Sequence, residues 1–308
     1  TGTGFLRVNG NNYDSLSTDG WVTIPESSLS TIQFGYTGGL NTATGVCGVE
    51  VDGKLLIDSG VSVANVPSTA PTGCSVNTKS KFGIYTFDGN SANRTLPHGL
   101  GQQPDFMIVK KKSSNGNSWV VWHKSIANDK YLILNDINSQ DTDATLFNSH
   151  ANDSSNLWTL GSNNSINQTG ESSVAYMWCD VPGLQKFGTY EGIGGTANGA
   201  FVELGFRPAI VWVKSIDNGS GNSHWCVFDN LRPGYNKAPA QNRLHLDAQE
   251  VEDPDRVDDG QGIDILSNGF RVRSNNWYET NANGETYIYC AWAEAPAVNL
   301  YGAQSNSR

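Results

Sequence analysis

Two long segments of this chain carry the same succession of short motifs. One runs from Lys81 to Asp180 and the other from Lys186 to Glu294, and both open with Lys-Phe-Gly. Each continues with Leu-Gly-x-x-Pro, an apolar stretch ending in lysine, a Trp-x-Val-aromatic stretch, and a closing Gly-Glu stretch that ends at a tryptophan. Matched strands separated by insertions of different length are typical of related domains that diverge in their loops. The repetition therefore predicts two copies of one fold in tandem.

The pattern inside each copy predicts an all-β fold made of antiparallel β-sandwiches. Residues 106–110 are apolar almost throughout, which indicates a central strand covered on both faces. Residues 243–246 alternate, which predicts that the leucines point inward and that Arg243 and His245 point outward. No stretch has the amphipathic period of a helix, whereas short strands with Gly and Asn turns are typical of sandwiches. Six tryptophans on the matched strands are predicted to pack in the cores: Trp119, Trp122, Trp178, Trp212, Trp225 and Trp292.

The same patterns divide the chain into domains. The Asp52-Gly53 pair predicts a two-residue type I′ hairpin turn, because both central residues of that turn need positive φ. The sequence starts at Thr1 without a methionine and inside a predicted strand, so we expect an incomplete first module and a piece of a longer chain. The predicted parts are an N-terminal β-module at 1–60, a Ser/Pro/Gly linker at 61–80, the first sandwich at 81–185, the second at 186–300 and a tail at 301–308.

The charge balance excludes two classes of partner. The net charge is −10 and the pI is about 4.9, whereas nucleic acids and anionic membranes are bound through basic patches. We therefore expect no nucleic-acid partner. No stretch reaches the ~18 apolar residues of a membrane-spanning helix, so no membrane insertion is expected either.

The cysteines predict a protein assembled in a reducing compartment. Five cysteines occur and none forms a C-x-x-C pair. Cys179, Cys226 and Cys290 lie in apolar strands. We expect these three to be small buried residues of a protein assembled in the cytoplasm.

The order of the motifs resembles a domain found in tail and other virion proteins of tailed phages, marine phages in particular. The match spans most of residues 44–296, although the first copy has Cys179-Asp180 where the second has Ala293-Glu294. The resemblance implies a structural virion protein, not an enzyme, that is assembled in the host cytoplasm and located on a tail fibre. It further implies contacts with other virion proteins and a homo-oligomer, with a trimer preferred. We also expect recognition of a host surface glycan, because a sandwich holds its loops rigidly while neutral polar side chains on them can adapt their hydrogen bonds.

Two other functions stay open on the sequence. A capsid decoration protein would bind the shell through a flat, partly apolar patch. A tailspike depolymerase would cleave host polysaccharide with two carboxylates ~5 to 10 Å apart. The carboxylates that stay open for such a pair are Glu171, Glu203, Asp229 and Glu285.

An acid-rich segment follows the alternating stretch at 243–246. Calcium takes six to eight oxygen ligands, which clustered carboxylates on a loop can supply. The segment lacks the D-x-D-x-D-G spacing of an EF-hand loop, so a solvated acidic insertion and a calcium site both stay open. No other cofactor is expected, since the five histidines form neither an i, i+4 pair nor an H-E-x-x-H motif and so argue against zinc. The candidate calcium ligands are Asp253, Asp255, Asp258 and Asp259.

Trp277 and Tyr278 stand apart from the other aromatic residues. They lie among Asn and Glu residues, where a core position would be out of place. Aromatic faces stack on sugar rings and anchor protein interfaces. We therefore predict an exposed contact at Trp277 and Tyr278, to a glycan or to a neighbouring subunit.

Overall fold

The structure is a computed structural model that divides into two compact units, residues 1–52 and residues 53–308. No described helix is long and apolar enough to cross a membrane. The residues that the structure describes are 3–12, 32–37, 49–51, 54–57, 61–63, 70–112, 117–195, 199–217, 223–232, 236, 242–252 and 262–296.

The N-terminal unit contains a three-stranded antiparallel sheet in the order β2-β1-β3. Asn9 and Gly10 both have positive φ and form the turn from the first strand to the second, as an Asn-Gly pair favours. The predicted turn at Asp52-Gly53 lies outside the described residues, between two strands that the structure does describe. The strands of this unit are β1 (Thr3–Val8), β2 (Asn11–Asn12), β3 (Ile32–Thr37) and β4 (Val49–Val51).

The second unit begins with a small antiparallel pair and continues into the first sandwich. Its seven-stranded sheet has the order β13-β12-β11-β10-β15-β8-β7, and β14 pairs with β9 in the facing layer. The apolar strand β10 is the central strand, as predicted. The strands are β5 (Lys54–Ile57), β6 (Val61–Val63), β7 (Gly73–Asn77), β8 (Phe82–Asp88), β9 (Arg94–Pro97), β10 (Phe106–Lys111), β11 (Val120–His123), β12 (Lys130–Ile133), β13 (Asp141–Thr142), β14 (Leu157–Leu160) and β15 (Ser172–Trp178). Two short α-helices, α1 (Ala144–Phe147) and α2 (Asn164–Asn167), and a 3₁₀ turn (Asn148–His150) connect them.

The second sandwich consists of a five-stranded sheet and a three-stranded sheet. The orders are β16-β23-β18-β19-β20 and β17-β22-β21. When strands are matched by their sequence motifs, the first of these has the same order as the run β8-β15-β10-β11-β12 of the seven-stranded sheet. The strands are β16 (Gln185–Glu191), β17 (Phe201–Glu203), β18 (Pro208–Ser215), β19 (Cys226–Asp229), β20 (Leu244–His245), β21 (Ile263–Leu266), β22 (Gly269–Val272) and β23 (Thr286–Ala293).

The predicted linker at 61–80 is wrong in its second half. β7 pairs with β8 along its whole length and forms the edge of the seven-stranded sheet. Val76 is buried in the core of the first sandwich. Its Ser, Gly and Thr neighbours gave this stretch a linker composition, but a strand at a sheet edge needs only one apolar face.

The predicted core positions of the tryptophans are confirmed. Trp122 and Trp225 are buried, and the other four are partly buried against the first core. Trp158, on the smaller sheet of the first sandwich, is fully buried and packs edge-on against Phe87. The second sandwich has its own core, in which Phe270 contacts Tyr190 and Tyr289.

The two large sheets also pack against each other. The Phe106 ring stacks on Phe187 with centroids 5.5 Å apart. The Trp225 indole donates to the carbonyl of Ile133 at 2.9 Å, across the two copies. One buried cluster accordingly contains residues of both copies, so the boundary predicted at residue 185 does not separate two independent cores.

Candidate functional site

The loop between β22 and β23 presents the two aromatic residues singled out by the sequence. The Tyr278 side chain is exposed (52%), whereas Trp277 is half-buried. The centroids of the two rings lie 6.2 Å apart, with their planes tilted by 49°. The loop therefore offers one exposed aromatic ring supported by a second.

Buried side chains hold the backbone of this loop. The Tyr287 hydroxyl donates to the Tyr278 carbonyl at 2.8 Å and accepts from the Ala282 amide at 2.9 Å. The buried side chain of Asn281 donates to the Ser274 carbonyl at 2.7 Å, and the backbone N–H of Asn281 donates to the Trp277 carbonyl at 2.8 Å. A ring on such a loop loses little backbone freedom when it binds a partner.

A second loop borders the aromatic loop. The amide of Ile193, a residue that is 54% exposed, donates to Asn281 Oδ1 at 3.1 Å. Exposed Asn276 accepts from the Asn283 amide at 2.8 Å, so side-chain amides lie near the rings. Apolar surface surrounded by neutral amides suits a sugar, which presents apolar C–H faces and hydroxyl groups.

Beneath this loop lies a buried polar cluster that corrects one prediction. Arg243 and His245 were expected to point outward, yet both side chains are 7% exposed and face the interior of the second sandwich. Arg243 Nη2 lies 2.8 Å from Glu279 Oε2, and the Glu279 side chain is only 5% exposed. A buried charge needs a partner of opposite charge, and Glu279 is that partner for Arg243. Glu279 lies on a loop 34 residues beyond His245, so the alternating pattern at 243–246 could not predict the pairing.

Cys226 and His245 complete this cluster. Cys226 Sγ lies 3.4 Å from Glu279 Oε2, and His245 Nε2 accepts from Arg243 Nε at 3.1 Å. Burial alone would raise the pKa of Glu279, but the adjacent His245 ring and the Arg243 charge outweigh it and lower that pKa to about 2. Burial raises the pKa of the Cys226 thiol well above its ordinary value, and the nearby Glu279 charge adds to this effect. The resting cluster therefore contains a carboxylate, a guanidinium and a neutral thiol.

A second histidine lies against the first. The rings of His224 and His245 are stacked with centroids 4.2 Å apart. His224 Nδ1 lies 2.9 Å from Asp247 Oδ1, and the other oxygen of Asp247 accepts from the Trp225 amide at 3.1 Å. Buried Lys214 lies close to Asp247; burial lowers its pKa to about 8, against the opposing charge of Asp247.

The predicted calcium ligands Asp253, Asp255, Asp258 and Asp259 lie outside the described residues. The two acids that precede them have partners. Glu250 Oε2 is 3.2 Å from His245 Nδ1, and Glu252 Oε1 is 3.9 Å from Arg232 Nη1.

The first sandwich contains a further polar pair that the sequence did not indicate. His150 Nδ1 lies 2.7 Å from Asp153 Oδ2, and both side chains are almost fully buried. Asn148, Ser149 and His150 all have positive φ, so a sharp backbone turn delivers the ring between Trp122 and Phe147. Positive φ in three successive non-glycine residues was the feature that sequence reasoning could not supply.

Comparison with known proteins gives a family for the chain. The model of one family matches residues 56–296, from β5 to just beyond β23. The chain belongs to the DUF7483 family. DUF7483 is described as a domain of unknown function, and its matched region includes both sandwiches, the aromatic loop and the cluster beneath it. Searches of curated proteins and of solved structures found no match to the chain.

Proposed function

We propose that this chain is a structural component of a tailed-phage virion, carried on a tail fibre, that attaches to glycans of the host surface. The observation that supports this proposal is the exposed Tyr278 ring on a loop held by buried side chains. The resemblance of the motif order to phage virion domains supplies the setting. Association with other virion proteins, as a homotrimer, is part of the same proposal.

The aromatic loop combines a rigid backbone with a neutral polar surface. The sandwich fixes the loop through Tyr287 and Asn281, so that binding orders few groups. Tyr278 supplies an amphipathic face, while Asn276 and Asn283 supply neutral amides at the surface of an acidic protein. Such a surface binds by contact, and no bond-making step is part of the proposal.

The test compares two exposed aromatic residues in host-cell binding by the labelled full chain. Tyr278→Ala should weaken binding roughly 10-fold or more, as loss of an interface anchor does. Phe201→Ala is the matched control, because Phe201 is 42% exposed on β17 and should leave binding unchanged. Equal binding by wild type and Tyr278→Ala would refute this role for the loop.

Two further measurements separate the rival functions. Gold-labelled antibodies against the chain should decorate the tails of intact particles; decoration of the capsid would favour a shell-binding protein instead. Incubation with host polysaccharide should release no reducing ends, and their release would favour a depolymerase. A monomer in sedimentation of the full chain would contradict the trimer.

A further inference from the structure

Three side chains with metal-binding atoms converge beneath the aromatic loop. Cys226 Sγ and His245 Nε2 lie 3.4 and 3.6 Å from Glu279 Oε2, and all three ligand atoms lie within 4.8 Å of one another. Around a tetrahedral ion, ligand atoms at about 2.0 to 2.3 Å from the metal are about 3.3 to 3.6 Å apart. The separations from Glu279 already have that length.

The tautomer of His245 is suited to metal binding. Its Nδ1 faces Glu250 Oε2 at 3.2 Å, and its Nε2 accepts from Arg243 Nε at 3.1 Å. Histidines that bind metals commonly donate from the other ring nitrogen to a carboxylate, which fixes the ring and its tautomer. The Nε2 lone pair of His245 therefore points at Arg243 Nε, the group that a bound ion would replace.

The backbone positions of the three residues are fixed by the fold. Cys226 on β19 and His245 on β20 are direct cross-strand partners, so their side chains share one face. Glu279 follows Tyr278 on the loop held by Tyr287. A preformed arrangement of this kind lowers the ordering cost of binding an ion.

We propose that Cys226, His245 and Glu279 form a site for one transition-metal ion, and that Arg243 is a competing cation that occupies the site when metal is absent. Arg243 Nη2 lies 2.8 Å from the Glu279 oxygen that would bind the ion, and Arg243 Nε faces the His245 nitrogen that would do the same. Thiolate and imidazole ligands select Zn²⁺ or Co²⁺ over Ca²⁺ and Mg²⁺. The site goes beyond attachment to a host and does not depend on it.

The exchange of Arg243 for the metal balances in charge. Without metal, Arg243 neutralises Glu279 and the Cys226 thiol keeps its proton. On binding, the S–H bond breaks, the proton passes to solvent, and a sulfur–metal bond forms. The thiolate and the carboxylate then neutralise the divalent ion, and Arg243 gives up its contacts with Glu279 and His245 to the ion. Each bound ion therefore releases one proton.

Cobalt titration of the chelator-treated full chain tests the site. Co²⁺ bound by Cys226 should give a sulfur-to-cobalt charge-transfer band and the visible bands of tetrahedral cobalt, saturating at one ion per chain. Zn²⁺ should abolish both signals. In weakly buffered solution, one proton should appear per ion bound.

Three variants assign the ligands and the competitor. Cys226→Ala should remove the charge-transfer band, whereas Cys290→Ala, which replaces an equally buried cysteine on β23, should keep it. Arg243→Met removes the competing charge and should raise the affinity for cobalt roughly 10-fold to 100-fold. A band that persists in Cys226→Ala, or the lack of a band in both wild type and Arg243→Met, would overturn the proposal.

Discussion

His98 and His123 are buried residues whose two ring nitrogens both have partners. His123 Nδ1 accepts from the Ser125 amide at 3.1 Å, so its Nε2 carries the proton that faces the Tyr289 carbonyl at 3.3 Å in the other copy. His98 accepts from the Leu100 amide at 3.1 Å in the same way. Burial is the main reason that the pKa of His123 falls to about 3 and that of His98 to about 4. Both rings are therefore neutral in the folded protein at neutral pH.

The first prediction concerns stability in acid. Because these pKa values lie below the ordinary 6.5, the unfolded chain binds protons first as the pH falls. Stability is thus lost from about pH 6.5 downward, by about 3 kcal/mol per histidine between pH 7 and pH 4. His123→Gln keeps a donor for Tyr289 but does not titrate, so its melting temperature should fall less between pH 7 and pH 4. An equal fall in the melting temperatures of His123→Gln and wild type would contradict this prediction.

Glu279 adds to this loss at lower pH. Its pKa of about 2 lies below the ordinary 4.5, so its contribution to stability is complete above pH 4.5 and disappears as the pH falls toward 2. Its effect therefore begins where that of His98 is nearly complete. Together, the histidines and Glu279 should spread the loss of stability over the pH range from about 6.5 down to about 2.

At the scale of strands, the repeated Lys-Phe-Gly motif has a structural cause. A Cβ atom on Gly83 would lie 2.0 Å from the hydroxyl oxygen of Tyr85, and one on Gly188 would lie 2.6 Å from that of Tyr289. In both copies the glycine on the first strand leaves room for a buried tyrosine on the core face. The register of the first strand differs between the two copies: the matched tryptophans Trp178 and Trp292 lie opposite Phe82 and Gln185, respectively. This shift of two residues preserves the face that each side chain occupies.

The second prediction tests that space. Gly83→Ala should displace the Tyr85 ring and break its hydrogen bond to the His98 carbonyl, lowering the free energy of unfolding by about 1 to 3 kcal/mol in urea titration. Gly73→Ala, on the edge strand β7, is the control, since its Cβ would meet only the Thr86 hydroxyl, at 2.9 Å. An equal loss in both variants would show that glycine is not specifically needed at position 83.

At the scale of the whole molecule, the two copies share an interior between their large sheets. Phe106, Phe187 and Trp212 meet there, and the Trp178 and Trp292 rings lie edge to face 6.3 Å apart. Only a short turn, residues 179–184, joins β15 to β16. The family model spans both copies, which agrees with a folding unit larger than one sandwich.

The third prediction is that both copies unfold together. Hydrogen exchange should show the same opening free energy for β8–β15 and for β16–β23 in the full chain. Trp225→Ala, which removes a ring shared by the copies, should lower both by about 3 to 5 kcal/mol. Loss of protection in the second copy alone would mean that the shared interior does not couple them.

Sequence reasoning found the parts of the fold that local pattern controls. Apolar continuity identified β10 as central, and the order of motifs anticipated the matching strand orders. Alternation failed at Arg243 and His245, because their partner Glu279 is distant in sequence and reverses the usual preference of charged side chains for solvent. The linker prediction failed at Gly73–Asn77 for a related reason, since an edge strand with one buried valine has the composition of a loop. The exposed Tyr278 was found because its polar neighbours are local, whereas the cluster beneath it depends on contacts between distant strands.

The shared interior limits how the two halves can change over generations. Phe106 contacts Phe187 and Trp212, so a substitution at Phe106 changes the packing of both. Substitutions on one of the facing surfaces should therefore be accompanied by compensating substitutions on the other. Loops far from the shared interior are free of this constraint, and insertions there leave the packing of the other half unchanged. Among related chains, differences in sequence and length should therefore accumulate in these outer loops, while the residues of the shared interior change slowly.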